Sequence, residues 1–256
     1  MSAKILAVGN QKGGVGKTTT ALSLGAALTR LSRRVLIMDL DPHANASIHM
    51  AFFPEDLKHT AYDLFNAEKG DAELWKRIIL REQASGMDFV PGNIRLSELE
   101  VDTKDRPRKG MILKDALETV KDDYDFVILD CPPHVGVLLV NALVACDLLI
   151  IPVQTDFLAL HGVRLIFDTI KMINRVMPEP VKFKALATMY DRRAGACRRV
   201  LNMLRRKFRG KIFSTIINMD TKFREASARG KVIYDVDPNC RGAMEYMLLA
   251  KEIMNQ

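Results

Sequence analysis

The run Gln11-Lys12-Gly13-Gly14-Val15-Gly16-Lys17-Thr18-Thr19 has the residue types that bind phosphate. A phosphate-binding loop reads G-x-x-x-x-G-K-[ST], and its glycines let successive backbone N–H groups face phosphate oxygens. Gly16, Lys17 and Thr18 fill the end of that pattern. The first glycine belongs at position 11, where this chain has Gln11, and a second lysine, Lys12, lies inside the loop. Gly13, Gly14 and Gly16 permit positive φ and close backbone approach. Lys17 is expected to reach the β- and γ-phosphates of a nucleotide, and the Thr18 hydroxyl to ligate Mg²⁺. Gly13 through Thr19, Val15 included, form the expected nucleotide-binding set.

Two further segments belong to the same chemistry. Val127-Ile128-Leu129-Asp130 is an apolar strand ending in a carboxylate suited to holding Mg²⁺ through water, and Asp130-Cys131-Pro132-Pro133 then turns the chain. Val35–Asp41 is a second apolar strand and ends in the acidic pair Asp39 and Asp41. The N-K-x-D element usual in guanine-specific relatives of such loops is absent, so the expected nucleotide is ATP.

These residues need elements to position them. Short apolar runs at Ile5–Val8, Val35–Asp39, Phe89–Val90, Phe126–Asp130, Leu148–Val153, Phe183–Thr188 and Ile212–Ile217 read as strands. Amphipathic stretches at Thr18–Leu31, Ile112–Val120, Leu138–Ala145, Gly162–Val176, Ala196–Phe208 and Arg241–Met254 read as helices. Continuous apolar strands alternating with helices predict an α/β fold, a mostly parallel twisted sheet with helices on both faces. Ligands of such sheets bind at the carboxyl ends of the strands. Val101–Gly110 is the most polar segment and reads as a surface loop. Met177-Pro178-Glu179-Pro180 reads as a helix stop and turn. No repeat or linker divides the chain, so residues 1–256 are expected to form a single domain.

At 256 residues with 48% hydrophobic content, the chain can bury a sizeable core. No apolar run reaches the roughly 18 residues of a membrane span, and the short apolar start runs directly into the glycine-rich loop. A cytoplasmic location is expected. Cys131, Cys146, Cys197 and Cys240 are scattered without a C-x-x-C pair, which argues against zinc and for ordinary free thiols. The formal charge of +7 favours anionic partners.

That charge is concentrated. Arg192, Arg193, Arg198, Arg199, Arg205, Arg206, Lys207, Arg209 and Lys211 fall close together, with no acidic residue between Arg192 and Met219. On a helix, Val200, Leu201, Leu204 and Phe208 form an apolar stripe and the arginines flank it. Lys222, Arg224, Arg229 and Lys231 follow. A solvated face normally interleaves acids; this one does not, and arginine is the residue that best matches phosphate. The expected partner is the DNA backbone, with Arg192, Arg193, Arg198, Arg199, Arg205, Arg206, Arg209, Lys222 and Arg224 as the contact set.

Taken in order, the phosphate loop, Asp39-Leu40-Asp41-Pro42, Asp130-Cys131-Pro132-Pro133, Asn141-Ala142-Leu143, Ile151-Pro152-Val153-Gln154 and Arg241-Gly242-Ala243 resemble the ParA/Soj branch of the ParA/MinD deviant-Walker-A ATPases. The resemblance runs from about residue 4 to about residue 253. It implies slow Mg²⁺-dependent hydrolysis of ATP by a homodimer with nucleotides between the subunits. It further implies that Lys12 is the lysine reaching the partner's ATP, that Asp41 positions the attacking water with Lys12 and Lys17 as catalytic lysines, and that Asp39 and Asp130 support Mg²⁺ with Thr18. Gln154 and Asp156 lie in a loop that approaches a nucleotide in relatives. The implied output is non-specific DNA binding, nucleoid association, and segregation or placement of a cargo whose adaptor protein stimulates hydrolysis. Nothing ahead of residue 4 suggests a helix-turn-helix, and sequence-specific autorepression is not expected.

The switch segment departs from the family's D-P-Q-G-N-x-[ST]: it reads Asp41-Pro42-His43-Ala44-Asn45-Ala46-Ser47, and Ala44 is expected to stiffen it. Two other outputs compete. A membrane-cycling regulator like MinD needs a basic, bulky amphipathic end; residues 247–256 do not supply one, and stable membrane binding is not expected. An electron donor like the nitrogenase iron protein needs two converging cysteines, and only Cys131 lies near the site.

Overall fold

A computed structural model of the chain describes residues 2–68, 70–81, 85–156 and 159–255. Its strands are β1 (Lys4–Val8), β2 (Val35–Asp39), β3 (Leu80–Arg81), β4 (Asp88–Val90), β5 (Phe126–Asp130), β6 (Leu148–Gln154), β7 (Phe183–Tyr190) and β8 (Ile212–Asn218). The helices of the first half are α1 (Lys17–Arg30), α2 (Asn45–His49), α3 (Ala61–Asn66), α4 (Ala72–Ile78), α5 (Leu99–Asp102) and α6 (Ile112–Leu117). Those of the second half are α7 (Val137–Ala145), α8 (Ala159–Ile173), α9 (Gly195–Lys207), α10 (Lys222–Ala228), α11 (Ile233–Val236) and α12 (Arg241–Met254).

The strands form one sheet in the order β3-β4-β2-β5-β1-β6-β7-β8. Every pairing is parallel except β3 with β4. Alternate residues of each central strand serve opposite faces. Ala7, Val127, Leu129, Leu149 and Ile151 join the core under α6, α7, α8 and α9. Leu6, Val8, Ile128 and Ile150 join the core under α1 and α12. β1 lies between β5 and β6, so the loop that follows it opens at the point where the strand order reverses, where ligands bind in such sheets. α1 approaches the sheet closely at Gly25, where a Cβ would stand 2.6 Å from Ile37 Cδ1.

Several expectations needed adjustment. The helix expected over Gly162–Val176 ends at Ile173, and turn hydrogen bonds from Val176 and Met177 to the Ile173 carbonyl finish it before Pro178. The helix expected over Ile112–Val120 stops at Leu117. The polar Val101–Gly110 segment lies largely at the surface, as expected, and is tied down: Thr103 is buried and its Oγ1 donates to the Leu99 carbonyl at 2.6 Å, while Arg106 donates to the Phe65 carbonyl. β3, α2–α5, α10 and α11 are each too short to show a period in the sequence. Among the described residues no helix is long and apolar enough to cross a membrane.

Candidate functional site

β1 ends at Val8 and the loop leaves it under tight control. The Asn10 side chain donates to the Pro152 carbonyl at 2.7 Å and accepts from Lys12 N at 3.1 Å. Gln11 Nε2 donates to Thr169 Oγ1 at 2.9 Å and to the Leu165 carbonyl at 3.1 Å, so the residue that replaces the first glycine ties the loop to α8. Gly14 and Gly16 have φ of 71° and 89°, the left-handed region where a side chain is strained. Gly16 caps α1, whose N-terminal dipole points into the loop. A Cβ on Gly13 or Gly14 would meet nothing within 4 Å, so the outer side of the loop is an open cradle. From below, Thr188 Oγ1 at the end of β7 donates to the Val15 carbonyl at 2.9 Å.

The two lysines differ. Lys17 is buried and its Nζ lies 3.4 Å from the Lys12 carbonyl. Burial lowers its pKa, against the pull of Asp130 and Asp41. Lys12 is half-buried, and its Nζ pairs with Asp156 Oδ2 of the same chain at 2.6 Å.

The carboxylates also divide. Asp39 and Asp130 are register partners on β2 and β5, and both are buried. Asp130 Oδ2 accepts from Thr18 Oγ1 at 2.7 Å, and its buried Oδ1 has no hydrogen-bond partner among the described residues. Burial first, then the neighbouring Asp39, raises the Asp130 pKa. Asp39 has its oxygens committed: Oδ1 accepts from Asp41 N at 3.1 Å, and Oδ2 from Ser47 N and Oγ at 2.9 and 2.7 Å. Asp39 therefore anchors the 41–47 loop, and Asp130 is the carboxylate with an oxygen to spare.

This donor set fits Mg²⁺. The ion keeps several waters and binds through one or two protein oxygens plus substrate phosphates. The Thr18 hydroxyl and the orphaned Asp130 oxygen face that need at the foot of the open cradle. Among the described residues no group of three or more His, Cys, Asp or Glu side chains is arranged for a metal.

Burial raises Asp39 to about 6 from an ordinary value of 3.8, against three hydrogen bonds that lower it. Between those values the folded protein holds a proton that the unfolded chain has lost. Stability from this group is present below the unfolded value and is lost as pH rises through the folded one. The nucleotide-free protein should lose on the order of 1–3 kcal/mol from this group between pH 4 and 7, at 1.36 kcal/mol per pKa unit. Urea midpoints measured across that range should decline more steeply for wild type than for Asp39→Asn; equal slopes would contradict the assignment.

Asp41 is 6% exposed. Its Oδ1 accepts from His43 N at 3.0 Å and lies 3.0 Å from His43 Nδ1, so the histidine in this switch orients the carboxylate. Ala44 has φ 50° and ψ 37°, left-handed for a residue with a Cβ, and starts α2. Such a conformation costs roughly 1–2 kcal/mol, against about 0.5–1 kcal/mol for the extra freedom of unfolded glycine. Ala44→Gly is expected to raise stability by about 0.5–1 kcal/mol in urea unfolding; a fall would remove the strain reading.

At the ends of β7 and β8 a cavity of about 260 Å³ is lined by Tyr190, Asp191, Arg192, Asn218, Met219 and Arg241. Arg192 and Arg193 belong to the expected DNA-contact set; a small-molecule cavity here has only the polar Tyr190-Asp191-Arg192 run at a strand end as its signal in the sequence. Arg192 and Arg193 line this cavity, and Arg193 pairs with Asp191 at 3.2 Å. Both are exposed and lie just ahead of Gly195, where α9 begins.

On α9, Val200, Leu201 and Leu204 are buried, and Phe208 just past its end packs on Phe167 of α8 at 5.6 Å. Arg198, Arg199, Arg205, Arg206 and Arg209 are exposed. The second basic patch is partly neutralised, because Glu225 pairs with Lys222 at 2.7 Å and with Arg229 at 2.6 Å. Arg224 remains exposed on α10.

Comparisons with known proteins agree with this geometry. The family model described as "AAA domain" matches residues 3–183. The sporulation initiation inhibitor protein Soj of Bacillus subtilis (strain 168) is 37% identical over 251 residues, covering 98% of each chain. The chromosome partitioning protein ParA of Caulobacter vibrioides is 33% identical over 256 residues, covering 99% of this chain and 94% of that one. A solved structure of cobyrinic acid a,c-diamide synthase from Mycobacterium smegmatis, with bound ADP and magnesium, is 32% identical with a TM-score of 0.84, covering 99% of this chain and 94% of that one.

Proposed function

We propose, for a chain that belongs to the ParA/Soj family of P-loop ATPases, an ATP-controlled dimer that grips DNA without sequence preference and places or segregates a cargo. An adaptor on the cargo stimulates hydrolysis and releases the subunits. The observation that carries this reading is the path from nucleotide to output. β7 touches the phosphate loop through Thr188 and Val15, and the chain leaving β7 runs into the exposed arginines of α9.

Amides of Gly13–Gly16 and the α1 N-terminus bind the phosphates, and Lys17 neutralises their inner charge. Thr18 and Asp130 would hold Mg²⁺, which would supply neutralisation of the phosphate charge. Asp41, oriented by His43, holds the attacking water in line with the γ-phosphate. Lys12 reaches the partner's ATP, so ATP binding and dimerisation become one event, much as a finger supplied in trans does elsewhere. The cavity beyond Tyr190 receives the base. Two closed subunits present two α9 faces to one duplex, in the cytoplasm and on the nucleoid.

A membrane anchor at α12 finds little support. Its apolar face is spent on the sheet, where Ala243, Tyr246, Leu249, Ala250 and Ile253 are buried. The deciding experiment is retention on non-specific DNA and on liposomes with ATP and with ADP. Retention on DNA with ATP only is expected; ATP-dependent flotation with liposomes and no DNA retention would replace this function by a membrane-cycling one.

A further inference from the structure

We propose that Asp156 is a positioning residue that keeps Lys12 on its own subunit until a nucleotide phosphate takes the lysine over. The inference rests on the ATP-sandwich reading above.

Lys12 is the cation meant for a partner, yet its Nζ is 2.6 Å from Asp156 Oδ2 of the same chain. The backbone is hydrogen-bonded at both ends of the pair. The Lys12 backbone is held by Asn10, and the preceding Gln11 is tied to α8. Asp156 sits at the turn leaving β6, where its N–H donates to the Gln154 carbonyl at 2.9 Å. Only lysine side-chain torsions need to change for Nζ to leave. Its competitor must therefore be an anion stronger than one carboxylate, and a triphosphate is one.

The carboxylate also has reason to recapture the lysine. Asp156 Oδ1 is buried and has no hydrogen-bond partner among the described residues. Once Lys12 departs, both oxygens lack a donor from this pair, and a partly buried unpaired carboxylate is costly. Loss of the γ-phosphate on hydrolysis weakens the competitor, and Asp156 then pulls Lys12 back into its own subunit. The ion pair opposes premature dimerisation and resets the subunit afterwards.

The pair is partly exposed, with side chains 24% and 36% accessible, so each is worth a factor of about three. Two break per dimer, giving about tenfold in the dimer dissociation constant. The test uses full-length wild type, Asp156→Asn and Asp156→Glu. The first readout is Lys12 reactivity in limited reductive methylation of nucleotide-free protein, read by mass spectrometry. The second is sedimentation equilibrium with a non-hydrolysable ATP analogue and Mg²⁺. Asp156→Asn is expected to label Lys12 about threefold faster and to dimerise about tenfold more tightly, with Asp156→Glu close to wild type. Unchanged labelling overturns the ion pair. Faster labelling with equal or weaker dimerisation overturns the restraint while leaving the sandwich standing. A wild type that binds the analogue and stays monomeric removes the sandwich, and the restraint with it.

Discussion

Replacing Lys12 by alanine is expected to abolish ATP-dependent dimerisation and DNA retention while leaving nucleotide bound to the monomer. Each closed dimer would contain two lysine–phosphate contacts of this kind. A charge-assisted hydrogen bond contributes roughly 1.5–3 kcal/mol, so losing two weakens the dimer by about 3–6 kcal/mol, or 10²–10⁴-fold. The monomer keeps its own cradle, because Lys17, Thr18 and the glycine amides do not depend on Lys12 for their position. Its Lys17 contact to residue 12 is through the backbone carbonyl, which alanine retains. Asp41→Ala is the informative counterpart. It leaves the phosphate loop intact and removes the group that orients water, so it should dimerise, bind DNA and hydrolyse about 10²–10³-fold more slowly. Sedimentation with ATP and phosphate release, measured on both variants, separate the two roles. If Lys12→Ala retained DNA with ATP as well as wild type, the sandwich would be wrong.

Reversing Arg198 and Arg199 to glutamate should remove DNA retention without affecting ATP binding or dimerisation. Both side chains are exposed near the start of α9, away from its buried Val200, Leu201 and Leu204, so the change leaves the packed face alone. If a wild-type dimer neutralises about six phosphates, log K falls with log salt at a slope near −5, from about −0.9 per contact. Removing up to four of those contacts per dimer should flatten the slope to about −2 and cost at least 10²-fold in affinity at moderate salt. Filter retention of a non-specific duplex across a salt series reads both quantities. The same reversal at Lys222 should matter less, because Glu225 already pairs with it. An unchanged slope in the Arg198, Arg199 double variant would sink the assignment of DNA to this face.

Much of this was readable from residue order. The β1–α1 unit, the strands ending in Asp39 and Asp130 and the amphipathic α9 each carry a local signal: glycine spacing, a continuous apolar run, a helical stripe. Those signals arise from neighbours in the chain, so sequence alone reports them. Apart from the strand at Phe89–Val90, the segment between Asn45 and Asp102 was opaque for the opposite reason. Its helices are four to seven residues long and are held by distant partners, as Ser47 is by Gly92. Asn141, seen in sequence only as part of a motif, turns out to stitch the Leu113 N–H and the Lys109 carbonyl to α7.

The sequence by itself determined that this is a phosphate-loop ATPase of the ParA/Soj family, since glycines, lysines and carboxylates at fixed spacing suffice for that chemistry. Tertiary structure alone decided how those groups are shared. Asp39 accepts from Asp41 and Ser47 of the following loop, Arg192 and Arg193 line a cavity at the ends of β7 and β8, and Lys12 was found on Asp156, 144 residues away. Pairings of that kind depend on which strand ends the sheet order brings together, and no local spacing encodes them.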